Sequence, residues 1–381
     1  MTEIGLEGGG KMSTLLIKFK VLLDSDFSDN HGALFHRWLP NGEEDAILLD
    51  TGDSNTTLKV WFERWGIVDK GHIKYDGSLK QVDSEIMTQQ AILEGGPLRG
   101  LLEIRNLRDE DLALFAERSD KNDEYYSLVK KVIKKLIYLP LSNFIKILRT
   151  NYGQYWLKEL EKWDSREESL PTYCDSKLHI EISLDNGKSW GSFFPSIIDL
   201  SLKLSWNIIQ AKTYAKYLTR DDWQSIQKLI TEKYVPTYAA EILMRAYQLY
   251  DQGNLKHAIV EGVTAFEVAI SEFIKNRLNK YGLKNDFLNS FLNLPLSTQI
   301  VAIAAVLDNV LPEELEQTLK IIKIRNDIVH EGMNPPKETK TLRGFFNTAA
   351  KLLTGPELRF LYSNIKGNTK MTPAEWEKIY Q

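Results

Sequence analysis

A chain of 381 residues with 43% hydrophobic and 26% charged residues can bury a core and keep a soluble surface, and its length points to two or three domains rather than one. A formal net charge of −4 excludes a protein whose whole surface grips nucleic acid, so any such role must rest on a local site. The single cysteine, Cys174, excludes an intramolecular disulfide and a multi-cysteine zinc centre; no apolar run approaches the roughly 20 residues that span a bilayer, so a soluble, cytoplasmic chain is expected.

The Gly-rich opening, residues 1–12, reads as disordered or tag-like. TLLIKFKVLL, from Thr14 to Leu23, predicts a first strand. Two more are expected near Ala33–Trp38 and Ala46–Leu49, joined as a hairpin through Pro40-Asn41-Gly42. After Asp50-Thr51-Gly52, Leu58, Trp61, Phe62 and Trp65 fall at the i, i+3, i+4, i+7 spacing of an amphipathic helix that Gly66 would end. Helical periodicity dominates from about Asp109 to Trp163. Within it, VKKVIKKLIYL, Val129 to Leu139, has four lysines that could touch phosphate, but its pattern favours a solvated lysine face over inward Val129, Val132, Ile133 and Leu136. LHIEISLDNGKSW, from Leu178 to Trp190, alternates and turns on Asn186-Gly187, a hairpin signal. Helices resume near Ser196.

Pro236 reads as the first-turn proline of a new helix and a domain boundary. Beyond it, helices are expected over Tyr238–Tyr250, Leu255 to about Leu278, Thr298–Leu307, Pro312 to about Glu331 and Thr339–Leu353, punctuated by Gly253-Asn254, Gly332, Pro335-Pro336 and Gly355-Pro356. The expected fold class is α+β: a mixed α/β region over residues 13–235, divisible near 105–175, then an all-α bundle over 236–355 and a helical tail over 356–381. No second copy of any segment recurs at a fixed period.

DAILLDTGDSN, from Asp45 to Asn55, raises the question of a hydrolase working through Asp50. An aspartic-protease site needs two carboxylates from equivalent loops, and no second Asp-Thr-Gly exists in the chain. The longer stretch from His31 to Ile67 is similar to the opening of metallo-β-lactamase-fold proteins, where Asp-Thr-Gly ends a strand and a helix follows. The His-x-His-x-Asp-His cluster that supplies metal ligands in that fold is absent, and His72 and Asp76 are its nearest approach. Asp50 is therefore expected to be a turn residue whose carboxylate bonds nearby backbone amides.

IKIRNDIVHEG, from Ile322 to Gly332, is the stronger candidate. Arg followed directly by Asn, with His five positions after the Arg, arises about 0.01 times by chance in a chain of this composition. Asn326 and His330 are i and i+4 on one helix face, and Arg325, about 100° round from Asn326, has a side chain long enough to swing toward them. His330 falls in the last turn before Gly332. A purely structural role, with Arg325 pairing with Asp327 or Glu331 and His330 capping the helix, fits the spacing equally well.

The bundle carrying RNDIVH resembles a HEPN domain, the higher eukaryote and prokaryote nucleotide-binding family, whose ribonuclease members carry Arg, a polar residue, three variable residues and His. Arg325, Asn326 and His330 match all three defined positions. AIVEGVTAFEVAISEFI, Ala258 to Ile274, is similar to the family's long second helix, where an acidic residue often supports the site; Glu267 is the match. The resemblance covers about a third of the chain. It implies a metal-independent endoribonuclease without cofactor, cutting RNA through the 2′-OH to a 2′,3′-cyclic phosphate, in a homodimer with a composite site. Such enzymes are commonly toxins or antiviral defence effectors. The N-terminal region would then sense a trigger, bind a regulatory protein or nucleotide ligand, or restrain the nuclease. The alternative is a non-catalytic HEPN module that binds a nucleotide or protein, or dimerises.

Overall fold

The computed structural model describes residues 14–21, 23, 33–36, 38–69, 72–74, 92–117, 123–157, 160, 178–192, 218–280, 285–304, 312–335 and 340–353. The expected helix near Ser196, Cys174, Asp76, Gly355-Pro356, the opening residues 1–12 and the tail 356–381 lie outside them. No described helix is long and apolar enough to cross a membrane.

An antiparallel sheet comes first. Strands β1 (Thr14–Val21), β2 (Leu34–His36), β3 (Ile47–Leu49), β4 (Thr56–Asp69), β5 (His72–Lys74), β6 (Ile92–Arg105), β7 (Leu178–Ser183) and β8 (Gly191–Ser192) join in the order β3-β4-β6-β1-β7-β8, with β2 added to β6 and β5 to β4. β6 organises it. One edge pairs with β4 along most of its length, and the other is shared by β1, against Leu98–Arg105, and β2, against Ile92–Glu94.

Two local expectations fail in this sheet. The segment after Asp-Thr-Gly is the long strand β4, because Leu58, Val60 and Phe62 alternate onto the buried face while Lys59, Trp61 and Glu63 stay on the half-exposed one. Alternation in a stretch rich in Thr, Val and aromatic residues favours the pleated surface over the helical stripe. β2 and β3 do not form a hairpin either. They pair with β6 and β4, and the Pro-Asn-Gly segment leads into a 3-10 turn over Gly42–Asp45, whose entry is held by Asn41 N–H donating to Asp45 Oδ2 at 2.8 Å.

The β7–β8 hairpin is as expected, with Asn186 and Gly187 at φ 56° and 85°. Asp185 accepts hydrogen bonds from Ser189 Oγ, the Ser189 amide and Ser183 Oγ, which hold its carboxyl well below the usual range. At the sheet's centre, Phe19 crosses the face of Gly100, where an added Cβ would sit 2.0 Å from the ring. Only glycine fits that contact.

Helices cover the buried face. α1 (Asp109–Glu117) and α2 (Asp123–Lys131) lead through a π-helical stretch, Val132–Tyr138, into α3 (Leu139–Tyr152), which ends at Gly153 with φ 64°. α4 (Arg220–Thr231) begins with a capping box between Thr219 and Asp222. Its Trp223 lies edge-on to Phe35 and Phe144, 5.8 and 6.1 Å between ring centres, and donates from Nε1 to Asp45 O at 2.7 Å. Val129, Val132 and Ile133 are buried and Leu136 partly so, the packing expected of the lysine-rich run.

The C-terminal half is helical: α5 (Tyr238–Asp251), α6 (Leu255–Lys280), α7 (Asn285–Leu292), α8 (Leu296–Ala304), α9 (Pro312–Glu331) and α10 (Lys340–Lys351). α7 was not expected. Pro236 stands just outside α5, whose N-cap is Thr237 accepting from Ala240 N–H. The core is continuous across this point. Asn143, Lys146 and Arg149, at successive turns of α3, bond Tyr234 O, Glu241 and Gln248 in that order. α3 and α5 therefore run side by side in the same direction.

Candidate functional site

The motif helix is α9, the fifth described helix after Pro236 rather than the fourth. Pro312 occupies its first position, where the missing N–H costs nothing, and Glu313 and Glu314 favour the positive end of the helix dipole. Thr318, Ile321, Ile322 and Ile328 form its buried stripe. Gly332, at φ 70°, closes the helix, with Met333 N–H bonding back to Asp327 O.

Arg325 lies on the edge of that stripe, one turn before Ile328, so its side chain points toward the neighbouring helix rather than into solvent. There it meets Glu267 of α6 in an ion pair through Nη2 and Oε1, with the two side chains 23% and 39% exposed. One turn along α6, Ser271 Oγ donates to the Glu267 carbonyl at 2.9 Å. Of the two sequence-based partners for Arg325, Asp327 and Glu331, neither is used: the acidic residue matched from the long second helix takes the place of both.

Asn326 and His330 fall on the outer face. Both are exposed, and among the described residues neither side chain has a hydrogen-bond or ion-pair partner. With i, i+4 spacing their side chains are neighbours one turn apart. The fold thus brings Arg325 and Glu267 together and leaves Asn326 and His330 on the outer face of the same helix, open to solvent. A guanidinium has five N–H donors, and one of them is taken by Glu267. The arrangement can hold an anion at Arg325, and it presents an imidazole and an amide on the outer face of the same helix.

Asp50 sits elsewhere and does different work. It follows β3, accepts from Gly52 N–H at 2.8 Å and is ion-paired with Lys233 at 2.9 Å. The hydrogen bond from Lys233, and after it the Gly52 amide, hold its carboxyl below the usual range. The turn-residue expectation stands in the Gly52 bond. The likeness to a metallo-β-lactamase opening does not survive, since strand β4 occupies the place of the required helix. Against an aspartic-protease loop, the missing second Asp-Thr-Gly remains the argument.

Sequence reasoning missed Lys233 as the partner of Asp50. It is an exposed lysine after α4, held in the left-handed region at φ 55°, and no local pattern connects it to the β3–β4 turn. Among the described residues no group of three or more His, Cys, Asp or Glu side chains is placed to hold a metal ion. No protein-family model, curated protein or solved structure matches the chain.

Proposed function

We propose that the chain is a metal-independent endoribonuclease of the HEPN type, acting as a homodimer with a composite site, in the setting of a toxin or antiviral defence effector. The observation that supports this reading is the Arg325–Glu267 ion pair, which fixes the motif arginine beside an exposed Asn326 and His330. In this reading the 2′-oxygen of the substrate attacks the adjacent phosphorus as its proton passes to a histidine. The bond from phosphorus to the 5′-oxygen breaks, and that oxygen takes a proton, leaving a 2′,3′-cyclic phosphate and a 5′-hydroxyl.

His330 is the proton-transfer group, Arg325 binds the phosphate and stabilises the charge that develops on it, and Asn326 orients the 2′-OH or the phosphate. Glu267 is a positioning residue that fixes the guanidinium. One histidine per chain supplies one proton-transfer group; a two-fold axis through the site supplies the second. Incubation with RNA in EDTA, with His330→Ala as comparison, is the test. Cleavage leaving cyclic phosphate ends in the wild type only is the expected result, and equal cleavage by the variant removes His330 from the mechanism.

A second reading, a non-catalytic module that binds a nucleotide or protein or dimerises, draws on the same ion pair, because an arginine held by a carboxylate is also a common packing device. It predicts that Arg325→Ala disrupts the dimer while no RNA is cut by the wild type.

A further inference from the structure

From Ser127 to Tyr152 the chain has no Asp or Glu and six basic residues, in a protein whose net charge is −4. Lys146, Arg149 and Lys134 each have an interaction within the chain. Lys146 pairs with Glu241 at 2.9 Å, and Arg149 is buried with Nη1 donating to Tyr155 O at 2.7 Å. Lys130, Lys131, Lys134 and Lys135 occupy the end of α2 and the start of the π-helical stretch. Lys131 and Lys135 are exposed, and Lys130 lies with Nζ 5.4 Å from the centre of the Tyr126 ring.

Several other cations of the N-terminal region have a carboxylate partner, among them Lys59 with Glu43, Arg99 with Glu63 and Lys233 with Asp50. Among the described residues, Lys130, Lys131 and Lys135 have no carboxylate partner. Clustered like charges without counterions repel one another, and an anionic ligand would relieve that repulsion. The two pairs stand one turn apart, so each can reach a different phosphate of one strand.

We infer that this lysine face is a second nucleic-acid surface, binding the phosphate backbone of single-stranded RNA apart from the site on α9. Two features favour RNA over a membrane or an acidic protein. Val129, Val132, Ile133 and Ile137 are buried in the core, so the segment has no broad apolar face to insert among lipids. Tyr126, half-buried beneath Lys130, supplies an aromatic ring next to the charges, the pairing that single-strand binders use. The charge balance of the C-terminal half also leaves room for it: 17 basic against 16 acidic residues from Glu241 onward give the α9 site a small phosphate footprint of its own.

The test measures anisotropy of a fluorescein-labelled single-stranded oligoribonucleotide over a series of salt concentrations, with the full chain carrying His330→Ala so that nothing is cut. Lys131→Glu with Lys135→Glu, and the milder Lys131→Gln with Lys135→Gln, are compared with that background after their thermal transitions are shown to match it. Both double variants are expected to weaken binding fivefold or more and to make the salt dependence shallower by about 1.4 log units per log unit of salt, the contribution of two phosphate contacts to a single strand. A smaller loss or an unchanged slope overturns the proposal. Binding of phosphatidylserine vesicles or polyglutamate that depends on these lysines, with RNA binding unaltered, overturns it as well. The measurement is of binding alone, so it stands or falls separately from the ribonuclease reading.

Discussion

Arg325 of α9 and Glu267 of α6 are ion-paired across two helices that the chain separates by two further helices and the segments joining them. The pair does for the candidate site what a supporting contact does in general, holding a charged group in one rotamer before a ligand arrives.

If Glu267 acts by positioning Arg325, Glu267→Ala should lower RNA cleavage about 10-fold to 100-fold while leaving the dimer and the thermal transition little changed. Loss of rate should appear in kcat more than in KM. A double-mutant cycle decides between this and two independent effects: Glu267→Ala should cost far less in an Arg325→Ala background, a coupling of about 1–3 kcal/mol. Additive losses of activity would show that Glu267 does not act through Arg325.

Asp50→Asn is expected to leave RNA cleavage unaltered and to have a small, pH-dependent effect on stability. A carboxyl held below its ordinary range in the folded state contributes stability above its unfolded value, near pH 4, and loses that contribution as pH falls through the folded value. The pair with Lys233 is solvent-exposed, the two side chains 75% and 40% accessible, so the contribution at neutral pH is at most about 1 kcal/mol. Denaturation curves of wild type and variant should therefore differ slightly above pH 5 and converge in acid, as pH falls through the lowered folded value. A difference that persists in acid would assign the effect to the Gly52 turn instead of the charge.

What could be read from the sequence divides along the range of the interactions. α5, α6 and α9 announce themselves through local signals, an N-cap, a 3.6-residue stripe and a closing glycine, and α9 has the bounds its proline and Gly332 suggest. β4 was misread because Leu58, Trp61, Phe62 and Trp65 satisfy a helical spacing by aromatic density alone. Its true state depends on pairing with β6, on the far side of β5 in the chain, from Val68 with Ile92 to Thr56 with Ile104. The same holds at the site. Helix periodicity places Asn326 and His330 on one face, whereas the Arg325–Glu267 and Lys233–Asp50 contacts are settled by how distant elements pack. Local chemistry is legible in a single sequence; a partner chosen by packing, such as Lys233, is not, and Glu267 was reached only through the resemblance to a family's long helix.

Gln227 of α4 gives a prediction about the sheet's edge. Its side-chain amide accepts from Leu48 N–H at 2.7 Å and donates to Leu48 O at 3.1 Å, taking both outward-facing backbone groups of the outer strand β3 as a further strand would. Free edges invite pairing with other chains, and here one is covered by a side chain. Gln227→Ala should cost about 0.5–1.5 kcal/mol and speed hydrogen exchange at the Leu48 amide, with amides of β1 and β6 unaffected. Unchanged exchange at Leu48 would mean that the clamp is not populated in solution.

Gly262 tests how tightly α6 and α10 are packed. A Cβ at this position would lie 2.5 Å from Cε1 of Phe346 and 3.2 Å from that of Phe345, both rings fully buried. Alanine is the better helix former by about 1 kcal/mol, so on an open surface Gly262→Ala would stabilise. Here the ring cannot yield, because Phe346 also packs against Tyr247, 4.7 Å between ring centres. Overpacking of this kind costs about 1–3 kcal/mol, and the net effect expected from chemical denaturation is a loss of about 1 kcal/mol. Combining it with Phe346→Leu supplies the discriminating measurement. The smaller side chain makes room for the methyl group, so the helix gain should reappear and Gly262→Ala should become neutral or stabilising in that background. If alanine destabilises equally in both, the close approach lies in the backbones of α6 and α10 and not in the ring.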